Sequence, residues 1–258
     1  MIDIKKAKNA FKEYVKNYDI KNKKIQLKIA HIERTAEISR KIAEGLKLEE
    51  EKVKLAKLIG LLHDIGRFEQ VRKYNTFVDH LSENHAQIGV DVLFKNGEIR
   101  EFIEDDKYDK IIELAIINHN KDKKDLPQNL SKDEELFVKL IRDSDKTDIL
   151  YILTFENEKT VWDSDNLEEE KFTEEIYNEF MNDRAIKYSN MKTHADRLIA
   201  NFAYVFDFNY DFALNYVYEK GYFDSIYKRF NFKDEQTKKW FNEIYQETIR
   251  YIKERLKK

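Results

Sequence analysis

Six side chains in this sequence have the types and positions to bind metal: His31, His63, Asp64, His85, His119 and Asp145. His31 lies four residues after Leu27 and seven before Ile38, and His63 follows Ile59 by four. His85 precedes Ile88, Gly89 and Val92, His119 follows Ile112, Ala115 and Ile116, and Asp145 continues the stripe of Phe137 and Ile141. Each stripe is the face that a helix turns toward a core. A polar group there costs several kcal/mol unless it is compensated. One such histidine is ordinarily a core residue bonded to a carbonyl. Four of them, with two inward carboxylates, would leave several buried groups short of partners. A divalent transition metal supplies what they lack. The chain has no cysteine, so ligation is by nitrogen and oxygen alone, which suits one or two ions of Fe, Mn, Ni, Co or Zn.

The element that presents His63 and Asp64 is a helix expected over about 49–64. Its Leu55, Leu58, Ile59, Leu61 and Leu62 leave no polar face, so it should be central and buried. Around it the periodicity predicts helices over 3–17, 22–44 (stopped by Gly45), 98–104 and 107–120. Residues 66–81 read as irregular. Ser82 is the expected N-cap of a helix to Lys95, closed by Asn96-Gly97. Ser131 with Glu134 forms a capping-box pattern that opens a long helix to about Phe155. Six glycines and one proline in 258 residues fall well below average usage of roughly 7 % and 5 %, which favours an all-α protein.

The order of these residues carries a resemblance. His31, then His63-Asp64 in LLHDIGR, then Asp145 in IRDSDKTD resembles the HD-domain superfamily of metal-dependent phosphohydrolases. His85 in NHAQIG and His119 in AIINHN are similar to the extra ligands of its six-ligand, dinuclear branch. The resemblance covers about 22–155 and implies an all-α, HD-domain helical bundle. It implies one metal held by His31, His63, Asp64 and Asp145, and a second by His85 and His119, with Asp64 bridging. A carboxylate has two oxygens and can span two cations, whereas an imidazole nitrogen serves one. Asp143 is the rival of Asp145, which is preferred because its SDK segment matches the family and its stripe is more apolar. The implied activity is metal-dependent hydrolysis of a nucleotide or another small phosphate ester by an activated water. Arg67 and Lys146 closely follow ligand positions, so each either grips a substrate phosphate or forms a surface ion pair; Arg34 is a weaker candidate. Gly60 either clears room for the bridging carboxylate or serves helix packing. A mixed-valent di-iron oxygenase of the same superfamily uses the same ligand types. A non-catalytic nucleotide-binding module would need none of them.

Two histidines stand apart. His80 is expected in an exposed loop, with a general-acid role as the alternative, and His194 in THADR is expected to be structural. A net charge of −3 argues against stable nucleic-acid binding, and the Lys-rich first 28 residues read as a solvated helix face. No run of about 18 apolar residues and no signal-like N-terminus is present, so a soluble, cytoplasmic protein without a membrane partner is expected. The polar stretch 156–166 suggests a boundary, giving an HD domain over 1–160 and a helical extension over 161–258 packed on it. Thirteen of the 31 residues from Phe202 to Phe232 are aromatic. A packed core or a homodimer face is the expected use, with stacking on a nucleobase the alternative.

Overall fold

Glu50–Leu62 forms a helix that is almost wholly buried from Leu55 onward, as a segment apolar on every face must be. In the computed structural model the chain divides into two compact units, Met1–Asp148 and Ile149–Lys258. The structure describes residues 1–162 and 166–258, with Trp162 in its backbone alone. Residues 163–165, part of the polar stretch expected as a boundary, lie outside the described residues. No strand occurs among the described residues, and the fold is all-α.

The first unit holds α1 (Ile4–Val15), α2 (Lys23–Gly45), α3 (Glu50–Leu62), α4 (Gly66–Tyr74), α5 (His85–Val90), α6 (Ile99–Phe102), α7 (Asp109–Asn118) and most of α8 (Lys132–Phe155). Local signals start several of them. The Asn22 side chain accepts from the amide of Lys24 at the start of α2. At α8 the Ser131 amide donates to Glu134 at 2.7 Å while the Glu134 amide donates to Ser131 Oγ at 3.3 Å, a complete capping box. Packing of α2 on α3 is close at Gly60, where an added Cβ would stand 2.7 Å from both Ala36 Cα and Ser39 Oγ. Helix packing therefore accounts for Gly60. Glu37 on α2 ties three helices together, receiving Lys8 of α1 at 3.2 Å and Lys57 of α3 at 2.5 Å. Burial opposes its charge, but the hydrogen bonds from Lys57, Arg40 and Lys8 outweigh it and hold the carboxyl down to about 2.

Two expectations are corrected. The segment 66–81 is not irregular throughout, since α4 occupies Gly66–Tyr74. Its periodicity is masked because Glu69 and Gln70 are buried alongside Phe68 and Val71. Each polar group has partners: Tyr18 donates to Glu69 at 2.5 Å, and Gln70 bonds the segment that follows. The next helix starts later than Ser82, because Asn84 is its cap and accepts from the Ala86 amide at 2.9 Å. Ser82 instead donates to the Val78 carbonyl.

The second unit continues with α9 (Glu158–Trp162), α10 (Glu174–Asn178), α11 (His194–Phe202), α12 (Tyr204–Asp207), α13 (Asp211–Glu219), α14 (Tyr222–Arg229) and α15 (Glu235–Leu256). Its core is aromatic. The rings of Phe202, Phe232 and Tyr227 lie 5.2–5.4 Å from that of Phe241 on α15. Within 202–232 the buried rings are Phe202, Phe208, Tyr222, Phe223, Phe230 and Phe232, so all but one of them are phenylalanines. Most tyrosines of the stretch keep partial exposure, as a ring with a hydroxyl should. Arg229 donates to the carbonyls of Leu153 and Glu156 and so closes the end of α8. His194 opens α11 with its ring 2.7 Å from Glu170, a structural placement. No described helix is long and apolar enough to cross a membrane.

Candidate metal centre

Five segments deliver the six expected side chains to one cluster. His31 projects from α2, His63 and His119 cap the C-termini of α3 and α7, Asp64 follows in the turn to α4, His85 is the first residue of α5, and Asp145 lies on α8. The Nε2 atoms of His31 and His63 are 3.2 Å apart, and those of His85 and His119 are 3.0 Å apart. Asp64 stands between the pairs. Its Oδ2 lies 3.4 Å from His31 and 3.8 Å from His63, while its Oδ1 lies 3.3 Å from His85 and 3.6 Å from His119. Asp145 Oδ1 joins the first pair, 3.1 Å from His31 and 3.6 Å from His63. Atoms about 2.0–2.2 Å from one cation lie roughly 2.9–3.5 Å from each other, so the separations of 3.0–3.4 Å suit atoms that share a cation, and those of 3.6–3.8 Å lie slightly beyond that range.

The remaining ring nitrogens explain why all four Nε2 atoms point inward. His63 Nδ1 donates to the Gly60 carbonyl at 2.8 Å and His119 Nδ1 to the Ile116 carbonyl at 2.7 Å. In each case a helix-ending histidine donates to a carbonyl of the last turn three residues back, and the Ile116 oxygen also accepts the His119 amide. His31 Nδ1 donates to Asp148 at 2.7 Å and His85 Nδ1 to Asp79 at 2.8 Å. These acceptors place the proton on Nδ1 and leave Nε2 for a ligand bond. Sequence reasoning missed Asp148 and Asp79. A signal existed for Asp148: it follows Asp145 by three, as Arg34 follows His31, so the two pairs share faces of α2 and α8. Arg34 indeed holds Asp148 through two bonds, at 2.6 and 3.1 Å. Asp79 lies in a short turn, Asp79–Leu81, with no periodic signal to reveal it.

The cluster fits a cation electrostatically. Asp64 Oδ1 is buried without a hydrogen-bond partner. Burial would raise the carboxyls of Asp64 and Asp145. Lys28 and the imidazoles keep Asp64 well below the usual carboxylate range, and His31 and His63 do the same for Asp145. Burial and Lys28 oppose charge on His31, yet its hydrogen bonds to Asp145, Asp148 and Asp64 prevail and raise it to about 10. Burial and Arg67 push His85 down to about 3. Without a cation, then, a proton on His31 supplies part of the missing positive charge. A metal must displace that proton. Calorimetry in buffers of different ionisation enthalpy should find about one proton released per chain on metal binding near neutral pH. Because the raised value lies above the working pH, affinity should climb roughly tenfold per pH unit and level off near pH 10.

Asp143 is fully buried on α8, and it is Asp145 that meets His31 and His63. Arg67 Nη1 donates to Gln70, to the Phe77 carbonyl and to Asp79, while its buried Nε has no hydrogen-bond partner and lies 3.5 Å from Asp64 Oδ1. Lys146 is 7 % exposed, which removes the surface ion-pair reading. His80 is exposed beside Asp79. Lys28 corrects the reading of the basic N-terminal run. It is not part of a solvated face, because its Nζ lies 2.6 Å from Asp64 Oδ2 and over the Phe77 ring. Arg142, fully buried, donates to the carbonyls of Asn118, His119 and Lys121 and so fixes the turn that carries His119.

The HD domain family matches residues 29–150, the span that contains all six clustered side chains. No curated protein and no solved structure matches the chain. HD domains bind divalent metals, and the histidine–aspartate groups here are compatible with that. The segment 29–150 is thus similar to HD domains, whose members are mostly metal-dependent hydrolases.

Proposed function

We propose that the HD domain is a two-cation phosphohydrolase acting on a nucleotide or another small phosphate ester. The observation that carries this reading is the placement of Asp64, each of whose oxygens faces its own pair of imidazole Nε2 atoms. His31, His63 and Asp145 would hold the first cation with Asp64 Oδ2, and His85 and His119 the second with Asp64 Oδ1. Divalent cations bound there supply Lewis acidity toward a water and toward a phosphoryl oxygen. The chain's own side chains then receive the substrate. Lys28 loses its ion pair when Asp64 is shared with cations, and a phosphate oxygen is the anion suited to replace it. Arg67 has a spare donor in Nε on the opposite side of Asp64. Lys146, next to Asp145 on α8, is the third phosphate-binding candidate. Asp145 is 17 % exposed, so the cluster opens to solvent on that side.

The test is phosphate release from a panel of nucleotides and simple phosphate esters, with protein loaded separately with Mn, Fe, Co, Ni or Zn, under anaerobic conditions. Metal-dependent release without O2 is expected. Turnover only with iron and O2, or no release with any metal, would refute the hydrolase reading.

A further inference from the structure

The two imidazole pairs are supported alike from behind, but on different foundations. Behind His31 stand Asp148 and Arg34; behind His85 stand Asp79 and Arg67. Asp148 is fully buried on the 24-residue α8. Asp79 keeps 32 % side-chain exposure and sits in the segment between α4 and α5, whose only helical turn is Asp79–Leu81. Both Asp79 oxygens reach His85 Nδ1, at 2.9 and 2.8 Å. Oδ1 also accepts from Arg67 Nη1 at 3.0 Å and from Gln70 Nε2 at 2.8 Å. Gln70 is fully buried, and its amide nitrogen also lies 2.9 Å from Ser82 Oγ and from the Glu83 carbonyl. One node therefore binds the connecting segment, the His85 ring and the turn after Asp64.

We propose that Asp79 is a positioning residue for the second cation, holding His85 Nε2 toward Asp64 and making occupancy of that site depend on the segment between α4 and α5. The proposal rests on the two-cation reading above. The ligand inventory is unequal between the sites. The first has Asp145 as a carboxylate of its own, whereas the second shares only Asp64 and so leans on the charge that Asp79 places behind His85. The same segment carries Phe77, whose ring lies 5.4 Å from Lys28 Nζ and 5.7 Å from the Arg67 guanidinium. A phosphate reaching those two cationic side chains meets the element that also supports the second cation.

Calorimetric titration with Mn, with metal analysis of the dialysed protein, would test this on wild type, Asp79→Asn, Asp79→Glu and Asp148→Asn. Wild type should bind two cations per chain. Asp79→Asn should weaken the second about 10–100-fold and leave the first unchanged, Asp79→Glu should recover part of that loss, and Asp148→Asn should weaken the first site instead. A role in folding alone would lower the melting temperature and weaken both sites together. That result, or two cations at wild-type affinity in Asp79→Asn, would overturn the proposal while leaving the two-cation reading intact. A single cation in wild type would overturn the two-cation reading and the proposal with it.

Discussion

Replacing Asp64 with alanine is expected to lower phosphate release by at least about 10³-fold, equivalent to about 4 kcal/mol of barrier, with the helical fold retained. The size of the effect follows from its position. On the two-cation reading every other candidate ligand would serve one cation, whereas Asp64 has an oxygen toward each pair of imidazoles. On that reading its loss would remove the shared anion and leave four neutral rings and one carboxylate to hold two dications. Metal analysis should fall from two ions per chain to one or none. Folding should survive, because the apolar core around α3 is left intact and the main loss in the metal-free protein is one ion pair, that of Asp64 with Lys28. Circular dichroism and a melting curve would establish that. Turnover within tenfold of wild type in a variant that has lost its metal would show that the reaction occurs elsewhere.

Gly66→Ala should be the most damaging single-methyl change in the domain. An added Cβ there would stand 2.2 Å from the His85 carbonyl oxygen and 2.4 Å from the Gly89 amide nitrogen. Both obstacles are backbone, so no side-chain rotation relieves them. Helices α4 and α5 would have to separate, carrying His85 away from Asp64. A loss of about 3 kcal/mol or more is expected, the upper part of the usual range for overpacking. The second cation should be lost with it. Gly89→Ala is the control. Its Cβ would meet nothing closer than 3.4 Å, and alanine gains about 1 kcal/mol in helix propensity, so that variant should be near neutral. Equal melting temperatures for Gly66→Ala and Gly89→Ala would contradict this account of the contact.

Much of the site is legible along the chain because five of the six candidate ligands continue the apolar stripe of their own helices. A stripe is a local property, set by which side of one helix is buried, and a polar residue on it stands out wherever it occurs. His31, His63, His85, His119 and Asp145 are all visible in that way, and Asp64 is visible beside His63. The capping box at Ser131 and Glu134 is legible for the same reason, since both partners lie within one turn. Helix α4 is hidden because the polar residues on its buried side find partners outside the helix, Glu69 on distant Tyr18 and Gln70 on the segment that follows. Lys28 is misplaced by composition, since a lysine in a basic run looks solvated until a distant aspartate is known to face it.

The amino-acid sequence by itself determined that the protein is helical, which helix lies at its centre, and six of the polar side chains that face inward. The family resemblance implied two pairs of imidazoles about Asp64, and the tertiary structure placed one pair near each of its oxygens. It also decided that Asp148 and Asp79 stand behind one ring of each pair. Periodicity records burial along one axis. The meeting of stripes depends on how closely helices approach, and here that is set by backbone contacts at Gly60 and Gly66, which no pattern within a single helix contains.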